Sequence, residues 1–297
     1  MTRRILWPII VALALWLPWP VRAATEVRDD SGQLLRLTGP ARRIVSLAPH
    51  ITELLYAAGA GERIVGAVEY SDYPAAARAL PRVGDNERLD LERIAALKPD
   101  LLIVWLHGAA QRQLAQLRRL GIPIFHSEPR TLVDIAGALR AFGRLAGTDA
   151  VADVAAREYA RRLDALSDLH RDAPPVRVFL QIWNAPPMTV NDRHLISDAL
   201  RLCGGRNIFG AAPVLAPTVN SEAVISANPE AIVAMGTDAS RPDWIDDWKQ
   251  WPRLTAVARD NLFSIAPELI TRHTPRVLDG TALLCRQLDT ARARRPR

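Results

Sequence analysis

The sequence predicts an α/β fold of two Rossmann-like lobes, each with a parallel sheet, joined by one long rigid helix. Three observations lead to this prediction. A segment of the first half recurs in the second, strand patterns alternate with helix patterns in both halves, and an uninterrupted helical pattern lies between them. Alternating strands and helices are typical of parallel sheets that carry helices on both faces.

Residues 1–23 have the layout of a secretory signal peptide that is cleaved before Ala24. Arg3 and Arg4 precede an apolar run over 5–20, and small residues precede the cleavage site. The alternative is a single membrane anchor, although the run is shorter than a typical span and contains prolines. No cysteine lies near the cleavage site, which excludes lipid attachment there. We expect a mature chain that is soluble in the periplasm.

The N-terminal lobe is predicted over 24–147. Residues 43–47 form an apolar strand pattern that is followed by a loop and a helical pattern. Further on, residues 92–104 predict a short helix that Pro99 stops before a buried strand begins. Residues 121–125 predict another strand of the same sheet.

The C-terminal lobe, predicted over 173–297, repeats this order. Residues 176–181 predict its first strand, and residues 222–234 repeat the pattern of 92–104, with Pro229 in the place of Pro99. Glu, an aliphatic residue, Pro, an acid and an apolar run recur at one constant offset. The lobe ends in a basic tail, 292–297, which we expect to be solvated and frayed.

Residues 148–172 are predicted to connect the lobes as one helix. Apolar residues recur every three or four positions, beginning with Val151, Ala155 and Tyr159, and no Gly or Pro interrupts the pattern up to His170. A single helix is a stiff connector, so we expect little closure of one lobe onto the other.

Charge and cysteine content narrow the function classes. Acidic and basic residues are interspersed until the tail, and an exported protein seldom meets nucleic acid, so a nucleic-acid partner is not predicted. The two cysteines, Cys203 and Cys285, suggest one disulfide in an oxidising compartment, with two buried thiols as the alternative.

Open α/β sheets bind ligands beyond the carboxyl ends of their strands, so two facing lobes would enclose one cleft. Tyr70, Trp105 and Trp183 lie in or next to such loops, and each has a core position as its alternative. Three other tryptophans at near-helical spacing, Trp244, Trp248 and Trp251, are interpreted as packing between helix and sheet.

Several segments together resemble the helical-backbone (class III) solute-binding proteins of ABC importers for metal chelates, siderophores, heme and cobalamin. They include Arg43–Pro49, Tyr70–Pro74, residues 91–105, Val178–Gln181, Asn184–Pro187 and Cys203–Gly205. The chain is most similar to the cobalamin-binding members, from about Arg43 to Leu288. The resemblance implies a monomeric periplasmic protein that binds a corrinoid in its interlobe cleft and delivers it to a permease dimer with ATPase subunits.

The resemblance also implies roles for single residues. Tyr70 and Trp105 match aromatic residues that pack on the corrin ring, and Arg272 matches a polar anchor on the opposite lobe, with Glu268 where the family has Asp. The cysteines match the family's disulfide. Two carboxylates, Glu92 and Glu222, match the residues that dock onto arginines of the permease; their alternative role is to begin helices, where carboxylates are favourable.

Three further pocket aromatics of that family are replaced here by Asn86, Met188 and Ala216. The thioether of Met188 can still pack on a flat ring, and Trp183 is expected to restore part of the lost apolar contact. Asn86 and Ala216 remove contact area, which leaves a ferric siderophore or heme as alternative ligands.

Neither a resident cofactor nor a metal site is predicted. The six histidines form no i,i+4 pair and no cluster with acidic residues at ligand spacing. An enzyme is also not predicted, because there is no Gly-rich phosphate loop and no set of Ser, Cys and His in a nucleophilic pattern.

Overall fold

A computed structural model describes residues 24–85, 87–106, 111–236 and 241–296. The predicted signal peptide, 1–23, lies outside the described residues. Within them, no helix is both long enough and apolar enough to cross a membrane.

The first half opens with an antiparallel hairpin and continues into a parallel sheet. The hairpin consists of β1 (Thr25–Arg28) and β2 (Leu34–Leu37). The parallel sheet contains β3 (Ile44–Ser46), β4 (Ile64–Ala67), β5 (Leu101–Trp105) and β6 (Ile124–Ser127), in the order β4-β3-β5-β6. The helices are α1 (Pro49–Ala57), α2 (Leu91–Ala96), α3 (Gln111–Arg119) and α4 (Asp134–Ala146).

The second half repeats this sheet. Its strands are β7 (Val176–Gln181), β8 (Gly205–Asn207), β9 (Ala231–Ala234) and β10 (Leu262–Ser264), in the order β10-β9-β7-β8. Counted from its own first strand, each sheet therefore has the same strand order, 2-1-3-4, and all its pairings are parallel. The predicted α/β fold with two parallel sheets is confirmed.

The helix between the halves is α5 (Asp149–His170), and α6 (Leu195–Leu202), α7 (Ser221–Ala227), α8 (Thr255–Ala258), α9 (Pro267–Ile270) and α10 (Val277–Ala293) follow. Short 3₁₀ segments cover Gly61–Arg63, Ala75–Ala79 and Asp243–Gln250. The first two turns of α5 bury residues one position away from the predicted ones, whereas Tyr159 is buried as predicted. Ala152 and Ala156 are buried with Tyr159, whereas Val151 is 53% exposed.

The repeated segment owes its form to matching local contacts. In the first copy, Asp90 caps α2 by accepting a hydrogen bond from the N–H of Arg93 (2.9 Å), and in the second, Asn220 caps α7 in the same way. Each helix is followed by a residue with positive φ directly before the proline: Lys98 (46°) and Asn228 (43°). These signals stop the helix and turn the chain into the sheet.

The acid that follows each proline anchors the first strand of its sheet. The carboxylate of Asp100 accepts hydrogen bonds from the N–H groups of Arg42 (2.8 Å) and Arg43 (2.9 Å). The carboxylate of Glu230 accepts one from the N–H of Arg177 (3.3 Å), at the start of β7. The repeat thus encodes a capped helix, a stop and a strand anchor.

One apolar cluster runs through both halves. It contains Ile44 of β3, Phe142 of α4, Tyr159 of α5, Val178 of β7 and Leu284 of α10. The two outer sheet faces have smaller clusters of their own. Trp248 lies in the second of these and packs edge to face on Phe179, at 5.7 Å between ring centroids, so its predicted packing role is confirmed.

The cysteines and the basic tail secure the second half. Cys203 and Cys285 form the predicted disulfide, which joins the end of α6 to α10. The expectation of a frayed tail is wrong for its described part, because Arg292 donates to the carbonyl oxygens of Pro174 (2.7 Å) and Cys203 (2.6 Å). Arg295 forms an ion pair with Glu230 (2.9 Å). Partly buried carbonyls and a carboxylate offer these arginines fixed partners that the sequence pattern does not reveal.

Candidate ligand-binding cleft

A cavity of about 330 Å³ lies beyond the carboxyl ends of β3, β4 and β5. Because β3 lies between β4 and β5, this edge includes the point where the strand order reverses, a usual position for ligands in open α/β sheets. The second half closes one side. The lining residues are Leu47, Ala48, Pro49, His50, Val68, Glu69, Tyr70, Asp85, Leu89, Val104, Trp105, Leu114, Thr271, Arg272 and His273.

Three of the predicted ligand-binding residues meet at this cavity. Tyr70 follows β4 and is 75% exposed, with the positive φ (62°) of a tight loop. Trp105 is the last residue of β5 and is half-buried, with an indole Nε1 that has no hydrogen-bond partner. Arg272, directly after α9, donates to the carbonyl oxygen of Tyr70 (3.3 Å).

The other predicted residues that the structure describes do not line this cavity. Trp183 and Met188 pair across a turn after β7, where the N–H of Met188 donates to the carbonyl oxygen of Trp183 (3.1 Å), and Trp183 is 49% exposed. Glu268 lies in the first turn of α9, four residues before Arg272. Ala216 lies half-buried in the loop before α7. Asn86 lies outside the described residues.

A cluster of charged side chains joins the two halves beside the cavity. Arg276, in the second half, forms a two-pronged ion pair with Glu53 of α1, with both hydrogen bonds at 2.7 Å. Its guanidinium also lies 3.8 Å from the ring centre of Tyr73. Arg272 pairs with Asp72 (2.7 Å) and lies 3.9 Å from Glu53.

This cluster keeps Asp72 ionised. Burial raises the pKa of Asp72, but the hydrogen bond and charge of Arg272 outweigh it and leave the pKa below its ordinary value. Neither Glu53 nor Arg276 was predicted from the sequence. The one available signal was a single acid in a helix whose Ile51, Leu54 and Leu55 are fully buried.

Two histidines from opposite halves meet in the cavity wall. His50 belongs to α1 and His273 follows α9, and their ring centroids are 5.4 Å apart. His50 also packs edge to face on Trp105 at 6.0 Å. Burial lowers the pKa of His50, helped by His273 and Arg272, and burial lowers that of His273 to about 4. Both rings are therefore neutral at pH 7.

Elsewhere, Glu92 and Glu222 occupy matching exposed positions, each the second residue of its helix, α2 and α7. Over the part of the chain that is described, no group of three or more His, Cys, Asp or Glu side chains is arranged to hold a metal ion. The cleft instead offers aromatic faces, neutral imidazoles and an arginine, which suit the binding of an organic ligand.

Comparison with known proteins identifies the family. The sequence profile of the periplasmic binding proteins matches residues 44–269. A Vibrio cholerae protein named vitamin B12-binding protein is 37% identical over 259 residues, which cover 87% of this chain and 93% of that protein.

Two solved structures extend the comparison. The crystal structure of the periplasmic vitamin B12 binding protein BtuF of Vibrio cholerae superposes with a TM-score of 0.79 and 37% identity, covering 85% of this chain and 98% of that one. A periplasmic heme binding protein from Pseudomonas aeruginosa has a TM-score of 0.72 and 26% identity, with coverage of 82% and 91%. These matches confirm the predicted class, a binding protein of a transporter and not an enzyme: the chain belongs to the periplasmic binding protein family.

Proposed function

We propose that this protein binds cobalamin or a related corrinoid in its cleft and delivers it to the permease of an ABC importer. The observation that carries the proposal is the cavity at the strand ends, where Tyr70, Trp105 and Arg272 converge. Aromatic side chains supply large apolar faces for a flat ring, and the arginine supplies a polar contact from the second half. The relatives named for vitamin B12 binding support this choice of ligand.

Trp183, Met188, Glu268 and Asn86 complete the proposed set of ligand-binding residues. Trp183 and Met188 offer an aromatic face and a thioether from the second half. Glu268, on the same short helix that precedes Arg272, is available for a polar side group of the ligand. In this proposal they contact parts of a large ligand that extend beyond the cavity itself.

Calorimetry with the purified mature protein tests the proposal, with cyanocobalamin, hemin and ferrichrome titrated separately. We expect saturable binding of cyanocobalamin. The double variant Tyr70→Ala/Trp105→Ala should bind at least about tenfold more weakly, since each ring loses apolar contact. Leu169→Ala, which removes an exposed side chain of α5 outside the cavity, should bind as the wild type does.

Heme is the second candidate ligand, favoured by the similarity to the heme binding protein of Pseudomonas aeruginosa. Saturable binding of hemin together with no heat from cyanocobalamin would replace the corrinoid by heme and leave the transport role in place. Binding of ferrichrome alone would point to siderophore transport.

The proposal includes export and a division of the chain. Residues 1–23 are removed as a signal peptide, and the mature protein acts in the periplasm as a monomer. Its lobes are 24–147 and 173–297, and 148–172 connects them. The permease is a dimer with ATPase subunits and receives the protein through Glu92 and Glu222, one per half. Their matching positions at α2 and α7 suit two equivalent subunits.

A further inference from the structure

Several nitrogen atoms in the cavity wall lack hydrogen-bond partners. His50 is 8% exposed, and its Nε2 is unpartnered, as are Nδ1 of His273 and Nε1 of Trp105. All three side chains line the same cavity. A buried polar group without a partner costs free energy, and a cluster of them in one wall is typical of a surface that awaits a ligand or water.

The imidazoles offer neutral hydrogen-bonding groups. Because both histidines have lowered pKa values, each ring carries one N–H donor and one acceptor nitrogen at pH 7. A carboxamide matches this pair, since its N–H₂ donates and its carbonyl oxygen accepts. A carboxylate offers acceptors only.

The charges around the cavity also disfavour an anionic ligand. Among the described lining residues, Arg272 is the one cation, and Asp72 already offsets its charge, while Glu53 is paired with Arg276. Two lining acids, Glu69 and Asp85, remain. Asp85 accepts hydrogen bonds from the N–H groups of Glu87 (2.8 Å) and Arg88 (2.7 Å), which lower its pKa and keep it ionised.

We propose that His50 and His273 are ligand-binding residues that hydrogen-bond neutral carboxamide groups, and that the cavity thereby selects amide-substituted rings over carboxylate-substituted ones. The proposal rests on the cleft being the ligand site, as proposed above. The proposal adds one ligand contact from each half of the molecule. It also implies that the negative charge of Glu69 and Asp85 in the cavity wall disfavours ligands with a carboxylate.

Calorimetry with His50→Leu and His273→Leu tests the contacts. Each variant should bind cyanocobalamin about tenfold more weakly, because the carboxamide loses a partner in a site shielded from water. His50→Gln restores a neutral donor and acceptor and should recover part of the loss. His170→Leu is the control: this buried histidine lies at the end of α5 and outside the cavity, so the affinity should not change. Circular dichroism verifies that each variant is folded.

The selectivity is tested with the b-, d- and e-monocarboxylic acids of cyanocobalamin, each of which has one carboxylate in place of a carboxamide. At pH 7.5 at least one acid should bind the wild type about tenfold more weakly than cyanocobalamin. The double variant Glu69→Gln/Asp85→Asn should reduce this difference in affinity between cyanocobalamin and the acid.

The two levels of the proposal fail differently. If His50→Leu and His273→Leu both bind cyanocobalamin as tightly as the wild type does, the role of the histidines is overturned. Equal affinity for all three acids and for cyanocobalamin overturns the selectivity. In either case the corrinoid function stands. No binding of cyanocobalamin by the wild type overturns the corrinoid function and the inference together.

Discussion

Glu53 is a carboxylate that is 2% exposed on a helix that also buries Ile51, Leu54 and Leu55. Removing a carboxylate from water is costly unless a cation and hydrogen bonds replace the water. Arg276 meets this need with two parallel hydrogen bonds, the strongest geometry between these groups. The pair also crosses from one half of the molecule to the other, so it fixes how α1 faces the segment before α10.

Breaking this pair should destabilise the protein markedly. Glu53→Gln or Arg276→Met leaves one charge uncompensated in a poorly hydrated site, and we expect a loss of about 3 kcal/mol of unfolding free energy. The double variant Glu53→Leu/Arg276→Met should lose less than the two single losses combined, since neither charge remains. Urea unfolding measures each value.

An exposed ion pair provides the control. Glu158 and Arg161 form an i,i+3 pair on the surface of α5, so Glu158→Gln should leave the unfolding midpoint unchanged. If Glu53→Gln had as little effect, the idea that the Glu53–Arg276 pair stabilises the contact between the halves would be wrong.

Some contacts of the cleft could be predicted from the sequence and others could not. Tyr70, Trp105 and Arg272 lie at or shortly after the end of a strand or short helix, and the rule that ligands bind at strand ends predicts their meeting. The Glu53–Arg276 pair joins positions 223 residues apart, and no local pattern reports such a contact. The pairing of Trp183 with Met188 likewise depends on a turn geometry that their residue types do not specify.

Among the elements, those of the repeat were the most predictable, because caps, proline and strand anchor all lie within a few residues of one another. The antiparallel β1–β2 hairpin was not predicted. Its attachment depends on a long-range contact in which Asp29 accepts hydrogen bonds from the N–H (3.2 Å) and Nδ1 (2.8 Å) of His126. The first turns of α5 bury alanines in place of the predicted Val151, because α4 packs so closely against α5 that only a small side chain fits between them.

The start of α6 depends on a histidine cap that should make stability sensitive to acid. Nδ1 of His194 accepts a hydrogen bond from the N–H of Ile196 (3.1 Å), and burial lowers the pKa of His194 from 6.5 to about 4. The unfolded chain therefore binds a proton at a higher pH than the folded one. The contribution of His194 is complete above pH 6.5 and is lost as the pH falls towards 4.

We expect this residue to account for roughly 3 kcal/mol of the stability lost between pH 7 and 4, at 1.36 kcal/mol per pKa unit. His194→Asn keeps a capping acceptor but does not titrate. The variant should lose less unfolding free energy over that interval, as measured by urea unfolding at stepped pH. All other titratable groups are the same in both proteins, so the difference reports His194 together with its charge interaction with His273. Parallel pH profiles would contradict the assignment.

At the scale of the whole molecule, the halves are held together by more than α5. The shared apolar cluster and the Glu53–Arg276 pair join them directly, and the disulfide ties α6 to α10 within the second half. The disulfide closes a loop of 82 residues and contributes about 4 kcal/mol on the chain-entropy view. Such a body should hold the distance between Glu92 and Glu222 nearly constant.

In the proposed docking, a fixed spacing makes the contacts of Glu92 and Glu222 cooperative, because engagement of one carboxylate places the other close to the permease arginines that would receive it. Glu92→Arg or Glu222→Arg alone should therefore lower uptake of labelled cyanocobalamin in cells that express the cognate permease, and the double variant should abolish it. Calorimetric affinity for cyanocobalamin should stay unchanged in all three, since neither residue lines the cavity. Glu62→Arg/Asp149→Arg makes the same charge change at exposed positions elsewhere and should leave uptake intact. Persistent uptake by the Glu92→Arg/Glu222→Arg protein would show that docking uses a different surface.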